Sequence, residues 1–472
     1  MAPAELQLGL HVGGTNADAV VMDRRGRLLA KAKVPATGDL GADLGATLRA
    51  VVRDGSLDPA RIARVMLSTR RPGSLLAQRG LGRVGVLRIG APLTHALPPL
   101  CGWPAELRTR VSAGEAVVRG GAEYDGRPVA PLDEAEIARF LGEVADQAEG
   151  IAITSVFSPV APDQELAAGE LVRRELGPST HVSLSHEIGS VGLLERENAT
   201  VLNGALGSTV EDLAATLRDA LESEGIDAEP FVTQNDGTVM TLQQALRFPV
   251  LTIGSGPASA MRGAAYLSGV EDGIVVDVGG TRTDVGVLVK GFPRESPGPA
   301  RIEGVPVALR MPDVRTLPFG GGSFAHLGDG SAQPSLDEAV LRHAHEALAD
   351  SVDRAKAEPQ SPPLVAVGGA DALVPGHLRG VSEVIRPPDR DVACAIGAAM
   401  APVSGHAESI RSNHPDKRQA ALAEVRESAL AQAVHAGADP AAVAIVSVEV
   451  VPLTYLADPA IRIRVKAAGP AG

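Results

Sequence analysis

The stretch HVGGTNADAVVMD at 11–23 returns as DVGGTRTDVGVLV at 277–289, and both copies share the frame VGGTxxDxxV. No other feature limits the fold more. An apolar run, a Gly-Gly pair and a second apolar run read as strand, tight turn and strand. A chain that does this twice, far apart, is predicted to have two halves with the same beginning. LQLGLHV, DAVVMD and LLAKAKV read as three strands around the first copy, and GIVVDV and DVGVLVKG as strands around the second. Between them lie helical stretches such as DLGADLGATLRAVVRDG, LDEAEIARFLGEVADQA with its capping box from Asp133 to Glu136, and the long ENATVLNGALGSTVEDLAATLRDALESEG. This alternation predicts an α/β chain. The expected divisions are an N-terminal half at 1–200 with an inserted lobe around 90–145, a second half at 201–405, and a small α+β appendage at 406–472.

At 472 residues the chain exceeds one ordinary core, in agreement with several domains. A formal charge of −13 and 2% aromatic residues give neither a basic footprint nor a stacking series, so no nucleic-acid partner is expected. No long apolar run is present, no membrane partner is expected, and the two cysteines, Cys101 and Cys394, cannot form a disulfide framework. A cytoplasmic setting follows as an expectation.

A Gly-Gly turn lets backbone N–H groups approach an anion without Cβ obstruction, and a neighbouring Thr hydroxyl adds a donor. Two such turns facing each other across a cleft would clamp a polyphosphate. Further glycine clusters, FGGGS at 319–323 and VGGAD at 367–371, add to this reading, while neither a Walker A loop nor GxGxxG is present. Asp277 closes its strand where a carboxylate could hold Mg²⁺ near phosphate oxygens.

Longer motifs add a resemblance. VGGTNADAVVMD, VSLSHEI (182–188), LLERENATVLN (193–203), VTQNDGTVM (232–240), PVLTIGSGPASA (249–260), IVVDVGGTRTDVGVLVKG (274–291) and LVAVGGADALVP (364–375) occur in the order seen in the hydantoinase A/oxoprolinase family, which the chain resembles from about residue 6 to 403. The resemblance implies a two-lobed actin-like ATPase fold, shared with sugar kinases, Hsp70 and actin. It also implies ATP-dependent opening of a cyclic amide such as a hydantoin or 5-oxoproline through phosphorylation of the ring carbonyl. The implied cofactors are ATP and Mg²⁺, with Mn²⁺ as an alternative. A hydantoinase B-type or other partner subunit, and a homo-oligomer, are the implied assemblies.

The resemblance assigns Gly13, Gly14, Thr15 and Asn16 to one side of the phosphates. Gly279, Gly280, Thr281 and Thr283, with Gly321, Gly322 and Ser323, fall on the other, and Gly368, Gly369 and Ala370 on the adenosine side. Asp277, Asp284 and Asp18 form the expected catalytic acidic set. Asn235, Asp236, Ser255, Gly256, Arg70 and Arg71 are expected on the substrate side.

Three departures stand out. His11 occupies the position that is usually acidic in the family, so the expected metal ligands are Asp277 and an imidazole, which suits softer ions better than Mg²⁺. STRRPGSLL at 68–76 replaces a Thr-rich turn; Arg70 and Arg71 could grip a carboxylate or phosphate there, or form a solvated basic edge. The stretch after 323 is short; His343 and His345, two apart on a helix expected from Ser335, cannot face one ligand together. These departures keep two other readings open beside the hydrolase, a nucleotide-binding scaffold or regulatory subunit and a small-metabolite kinase.

Overall fold

The computed structural model describes residues 5–78, 80–189, 192–296, 298–322, 338–356, 359–453 and 460–472. Ser323 and the helix start expected at Ser335 lie outside them. Strands β1 (Leu6–Val12), β2 (Asn16–Asp23) and β3 (Leu28–Pro35) form an antiparallel meander, and β4 (Ile62–Thr69) joins β1 in parallel. The chain then leaves for an all-parallel sheet of β5 (Val84–Ala91), β6 (Ser112–Arg119), β7 (Gly150–Ser155) and β8 (His181–Leu184). It returns with β9 (Glu229–Thr233), parallel to β4, and β10 (Val239–Thr241), antiparallel to β9.

The same plan then starts again. Strands β11 (Gly273–Val278), β12 (Thr283–Val289) and β13 (Phe292–Pro293) form the second antiparallel meander. After the β14 (Ala300–Ile302) and β15 (Val305–Val307) hairpin, β16 (Val314–Leu317) pairs with β12. β17 (Leu364–Val367) lies parallel to β11, and β18 (Val384–Ile385) parallel to β17. The spatial order β3-β2-β1-β4-β9 in the first sheet is therefore repeated as β13-β12-β11-β17-β18 in the second. The sequence repeat is the visible trace of a repeated sheet topology.

Both meanders begin with apolar runs because both faces of these strands are covered. Leu6, Leu8 and Leu10 of β1 pack with Leu44, Leu48 and Val51 of the helix Leu40–Asp54 and with Leu213 and Leu217 of the helix Gly207–Ser223. On the other face Val20 and Met22 meet Ala395, Ile396 and Ala399 of the helix Ala393–Ala399. In the second half, Ile274, Val276 and Val278 meet Leu348 and Val352 of the helix Glu338–Ala355, while Val275 meets Met261 and Ala264 of the helix Ser255–Ser268.

The lobe expected around 90–145 is the first part of a larger unit, since its parallel sheet runs from Val84 to Leu184. The appendage expected at 406–472 is built onto the first sheet. Its strands β19 (Val403–Ser412), β20 (Ala444–Leu453) and β21 (Ala460–Gly469) continue that sheet from the Val239↔Val403 contact with β10, and the helix Pro415–His435 covers them with Ala421, Val425, Ala429 and Ala433. Among the described residues no helix is long and apolar enough to cross a membrane.

A candidate phosphate clamp between the two halves

Each repeated stretch closes its turn with the same backbone bond, Gly13 N–H to Asn16 O at 2.9 Å and Gly279 N–H to Arg282 O at 3.0 Å. The turns meet. A Cβ on Gly280 would lie 2.3 Å from Thr15 Oγ1 and 2.9 Å from Thr15 Cβ, so only glycine permits this approach. The other glycine clusters back the second turn: Gly321 and Gly322 donate to Gly279 O and Gly280 O at 2.9 and 2.6 Å, and Ala370 donates to Val278 O at 3.1 Å. Gly14, Thr15, Thr281 and Gly369 are exposed at this junction. The Gly14 and Gly369 amides make no internal hydrogen bond among the described residues, which leaves them for an anion. Thr283 sits differently from its expected part. It is buried, and its hydroxyl donates to Phe319 O at 2.8 Å.

Strand register places the charged side chains. His11 is opposite Asp18 across β1 and β2, and Asp18 is opposite Lys33 across β2 and β3. In the second half Asp277 is opposite Asp284, and Asp284 is opposite Thr316. His11 is thus the positional counterpart of Asp277, and Asp18 of Asp284. All four are buried.

The two rows are balanced in different ways. In the first, Lys33 Nζ lies 2.8 Å from Asp18 Oδ1; burial raises the Asp18 carboxyl above its usual range, and Lys33 opposes that rise. His11 Nδ1 is 3.1 Å from Ser68 Oγ, and burial, with Arg70 and Lys33 nearby, lowers the imidazole to about 3, so it is neutral at ordinary pH. In the second, Arg70 reaches over from the end of β4. Its NH2 lies 2.7 Å from Asp277 Oδ2 and its NH1 2.5 Å from Asp284 Oδ2. Thr316 donates to Asp284 Oδ1 at 2.6 Å. Burial pushes the Asp277 carboxyl up, while Arg70 pulls it back. Burial also pulls against the charge of Arg70, but the two carboxylates overcome this and hold it firmly protonated.

Arg70 is therefore not a solvated edge, because two of its N–H groups are held by carboxylates of this chain. Gly256 makes room for it, since a Cβ there would lie 2.6 Å from Arg70 Cγ. Ser255 anchors the same strand end, with Oγ donating to Thr69 O at 2.6 Å. Arg71 stays exposed at the start of the helix Arg71–Gln78. Asn235 and Asp236, also expected on the substrate side, are tied within the chain. Asn235 Oδ1 accepts from Gly254 N–H at 2.7 Å, and Asp236 is buried against Lys466 Nζ at 2.6 Å and His406 Nε2 at 3.0 Å. Burial would raise the Asp236 carboxyl, yet Lys466 and His406 hold it well below the usual range. His343 is exposed, and His345 Nε2 lies 3.0 Å from Leu373 O. Cys394 Sγ is 3.9 Å from Asp277 Oδ2, and burial pushes its thiol up, away from thiolate chemistry.

The donor set does not fit the expected Mg²⁺. A hard divalent ion needs free carboxylate oxygens. Here one oxygen of each of Asp277 and Asp284 is held by a guanidinium, a second oxygen of Asp284 by Thr316, and the remaining expected ligand is the neutral, buried His11. Among the described residues no group of three or more His, Cys, Asp or Glu side chains is placed to hold a metal ion. Sequence reasoning missed Lys33, Ser68 and Thr316. Lys33 was the most accessible of these, since the meander fixes it opposite Asp18.

Comparison with known proteins agrees with the fold and the motif order. The family model for the hydantoinase/oxoprolinase N-terminal region matches residues 7–176, and that for hydantoinase/oxoprolinase matches residues 196–335. The chain is 28% identical over 364 residues to caprolactamase subunit alpha of Pseudomonas jessenii, covering 70% of this chain and 50% of that one. It spans about half the length of the curated relatives it matches. The crystal structure of the ATP-dependent caprolactamase from Pseudomonas jessenii superposes with a TM-score of 0.76 at 17% identity, covering 98% of this chain and 87% of that chain. A nucleotide-free acetone carboxylase structure gives a TM-score of 0.71 at 16% identity, covering 99% and 88%. The repeated sheets are those of a two-lobed actin-like fold. With both family models matched in order over most of its length, this chain belongs to the hydantoinase/oxoprolinase family.

Proposed function

We propose that the chain is the nucleotide-binding part of an ATP-dependent enzyme that opens a cyclic amide, working with a partner subunit. The observation that carries this reading is the contact of the Thr15 turn with Gly280, which brings two glycine turns from separate halves to one place, and such turns suit an anion. The relative named a caprolactamase subunit supports the substrate class and the partner.

In this reading the amides and Thr hydroxyls around Gly13, Gly14, Thr15, Gly279, Gly280 and Thr281 hold the phosphates of ATP. The amide carbonyl oxygen attacks the terminal phosphorus and ADP leaves. Water adds at the activated carbon, the ring nitrogen departs, and a second water cleaves the acyl phosphate. The protein's share is position and charge. Arg70 supplies a fixed cation beside both turns, Asp277 and Asp284 set its orientation, and Asp18 with Lys33 adds to the local field.

A test is ADP release by the purified chain with its partner subunit against hydantoin, 5-oxoproline and caprolactam. Ring-dependent ADP release, lowered by roughly a hundredfold or more in Asp277→Asn, is expected. An Asp277→Asn variant with full ring-opening activity would remove Asp277 from the machinery. A second reading, a nucleotide-binding scaffold without turnover, is favoured by the Arg70 bridge and the neutral His11. ATP binding with no ADP release against any ring, partner present, would select it.

A further inference from the structure

Asp277 and Asp284 face each other across β11 and β12, so two buried like charges occupy adjacent positions on one strand pair. Such a pair needs a cation. The cation in place is covalently part of the chain. Arg70 spans the pair with one N–H to each carboxylate, at 2.7 and 2.5 Å, and with its side chain 13% exposed.

Its placement is fixed from three sides. The Arg70 amide donates to Val12 O at 3.2 Å, next to the first glycine turn. Its carboxylate partners begin and follow the second turn, at Asp277 and Asp284. The Gly256 position leaves the space for its stem. The guanidinium therefore lies where the two halves meet, beside both phosphate turns. Of its five N–H donors, two are taken by the carboxylates, and no protein acceptor takes the other three among the described residues. Those three remain for an anion, and the planar fork suits phosphate oxygens.

We propose that Arg70 is a built-in cation in the place of a divalent metal, so that this clamp takes up nucleotide phosphate without Mg²⁺. The inference rests on the nucleotide reading above for its ligand, but not for its cation site. The first row of the clamp agrees with it. With an imidazole at position 11 and Asp18 paired to Lys33 at 2.8 Å, the first half offers no free carboxylate to complete a metal site.

The test uses the whole 472-residue chain in two arms. In the first, ATP is titrated calorimetrically in EDTA and again in excess Mg²⁺. Affinities within about threefold of each other are expected; binding that needs Mg²⁺ overturns the proposal. In the second, Mn²⁺ is titrated alone and followed by electron paramagnetic resonance. The unmodified chain is expected not to bind it at submillimolar concentration, whereas Arg70→Thr is expected to gain one site that Asp284→Asn in the same background removes. Mn²⁺ binding by the unmodified chain that Asp277→Asn abolishes overturns the proposal, and this comparison stands even if Arg70→Thr does not fold. Absence of ATP binding in both buffers defeats the nucleotide reading, and the Mn²⁺ arm then decides alone whether Arg70 fills the cation site.

Discussion

A single guanidinium decides the electrostatics of the junction. Removing it leaves two facing carboxylates buried without a counter-charge, so Arg70→Met is expected to lose about 3–5 kcal/mol at neutral pH in urea denaturation. The sign of its pH dependence follows from the carboxyls. Without Arg70 the folded value of Asp277 rises further, so the loss is largest at neutral pH and shrinks as acid protonates it. His11 gives a second pH dependence. Its folded value of about 3 lies below the ordinary 6.5, so the unfolded chain takes up the proton first. Stability contributed by neutral His11 is complete above 6.5 and falls with pH below it, by roughly 1.4 kcal/mol per pH unit. His11→Asn, which keeps a partner for Ser68, is expected to flatten this decline between pH 6.5 and 5. An unchanged slope would place another group behind it. Arg70 and Arg71 were legible in STRRPGSLL as cations able to grip an anion, but not which half they reached into. The better signal was the spacing of Asp277 and Asp284 around a two-glycine turn, which sets them face to face and demands a counter-charge.

Elements were most legible where both faces are buried. β1, β2, β11 and β12 read as apolar runs because helices cover them on each side, and the turn between each pair is fixed by two glycines. The joining of β19 to β10 was not legible, since it depends on a contact between residues far apart in the chain and not on local pattern. The same holds for the tie of Asp236 to Lys466, which turns a family motif into a fastening for β21. Small residues matter most where the helices Ser255–Ser268 and Ala393–Ala399 cross. A Cβ on Gly397 would lie 1.8 Å from Ser259 O, and one on Gly263 would lie 1.9 Å from Ala393 O. Gly397→Ala is expected to destabilise by about 3 kcal/mol or more. Gly142→Ala, on the exposed face of the helix Glu134–Val144 with open space around it, is expected to stabilise by about 0.5–1 kcal/mol. Equal effects in chemical denaturation would deny the close helix crossing.

At the scale of the molecule, two halves with the same strand order bring their first turns together, and the site belongs to neither half alone. The repeat made this duplication visible in the sequence. It did not show that the turns touch, or that the cation between them is a side chain. Lys31 and Lys33 add ties across the same junction, to Asp389 at 2.9 Å and to Asp391 O at 2.8 Å. These touching turns are proposed to form one nucleotide site. The direct measurement is calorimetric titration of ATP into the 472-residue chain and into Gly280→Ala, whose new methyl must push the Thr15 turn away. One saturable site per chain is expected, weakened roughly tenfold or more by the substitution. No ATP binding, or the same affinity in both proteins, would contradict it.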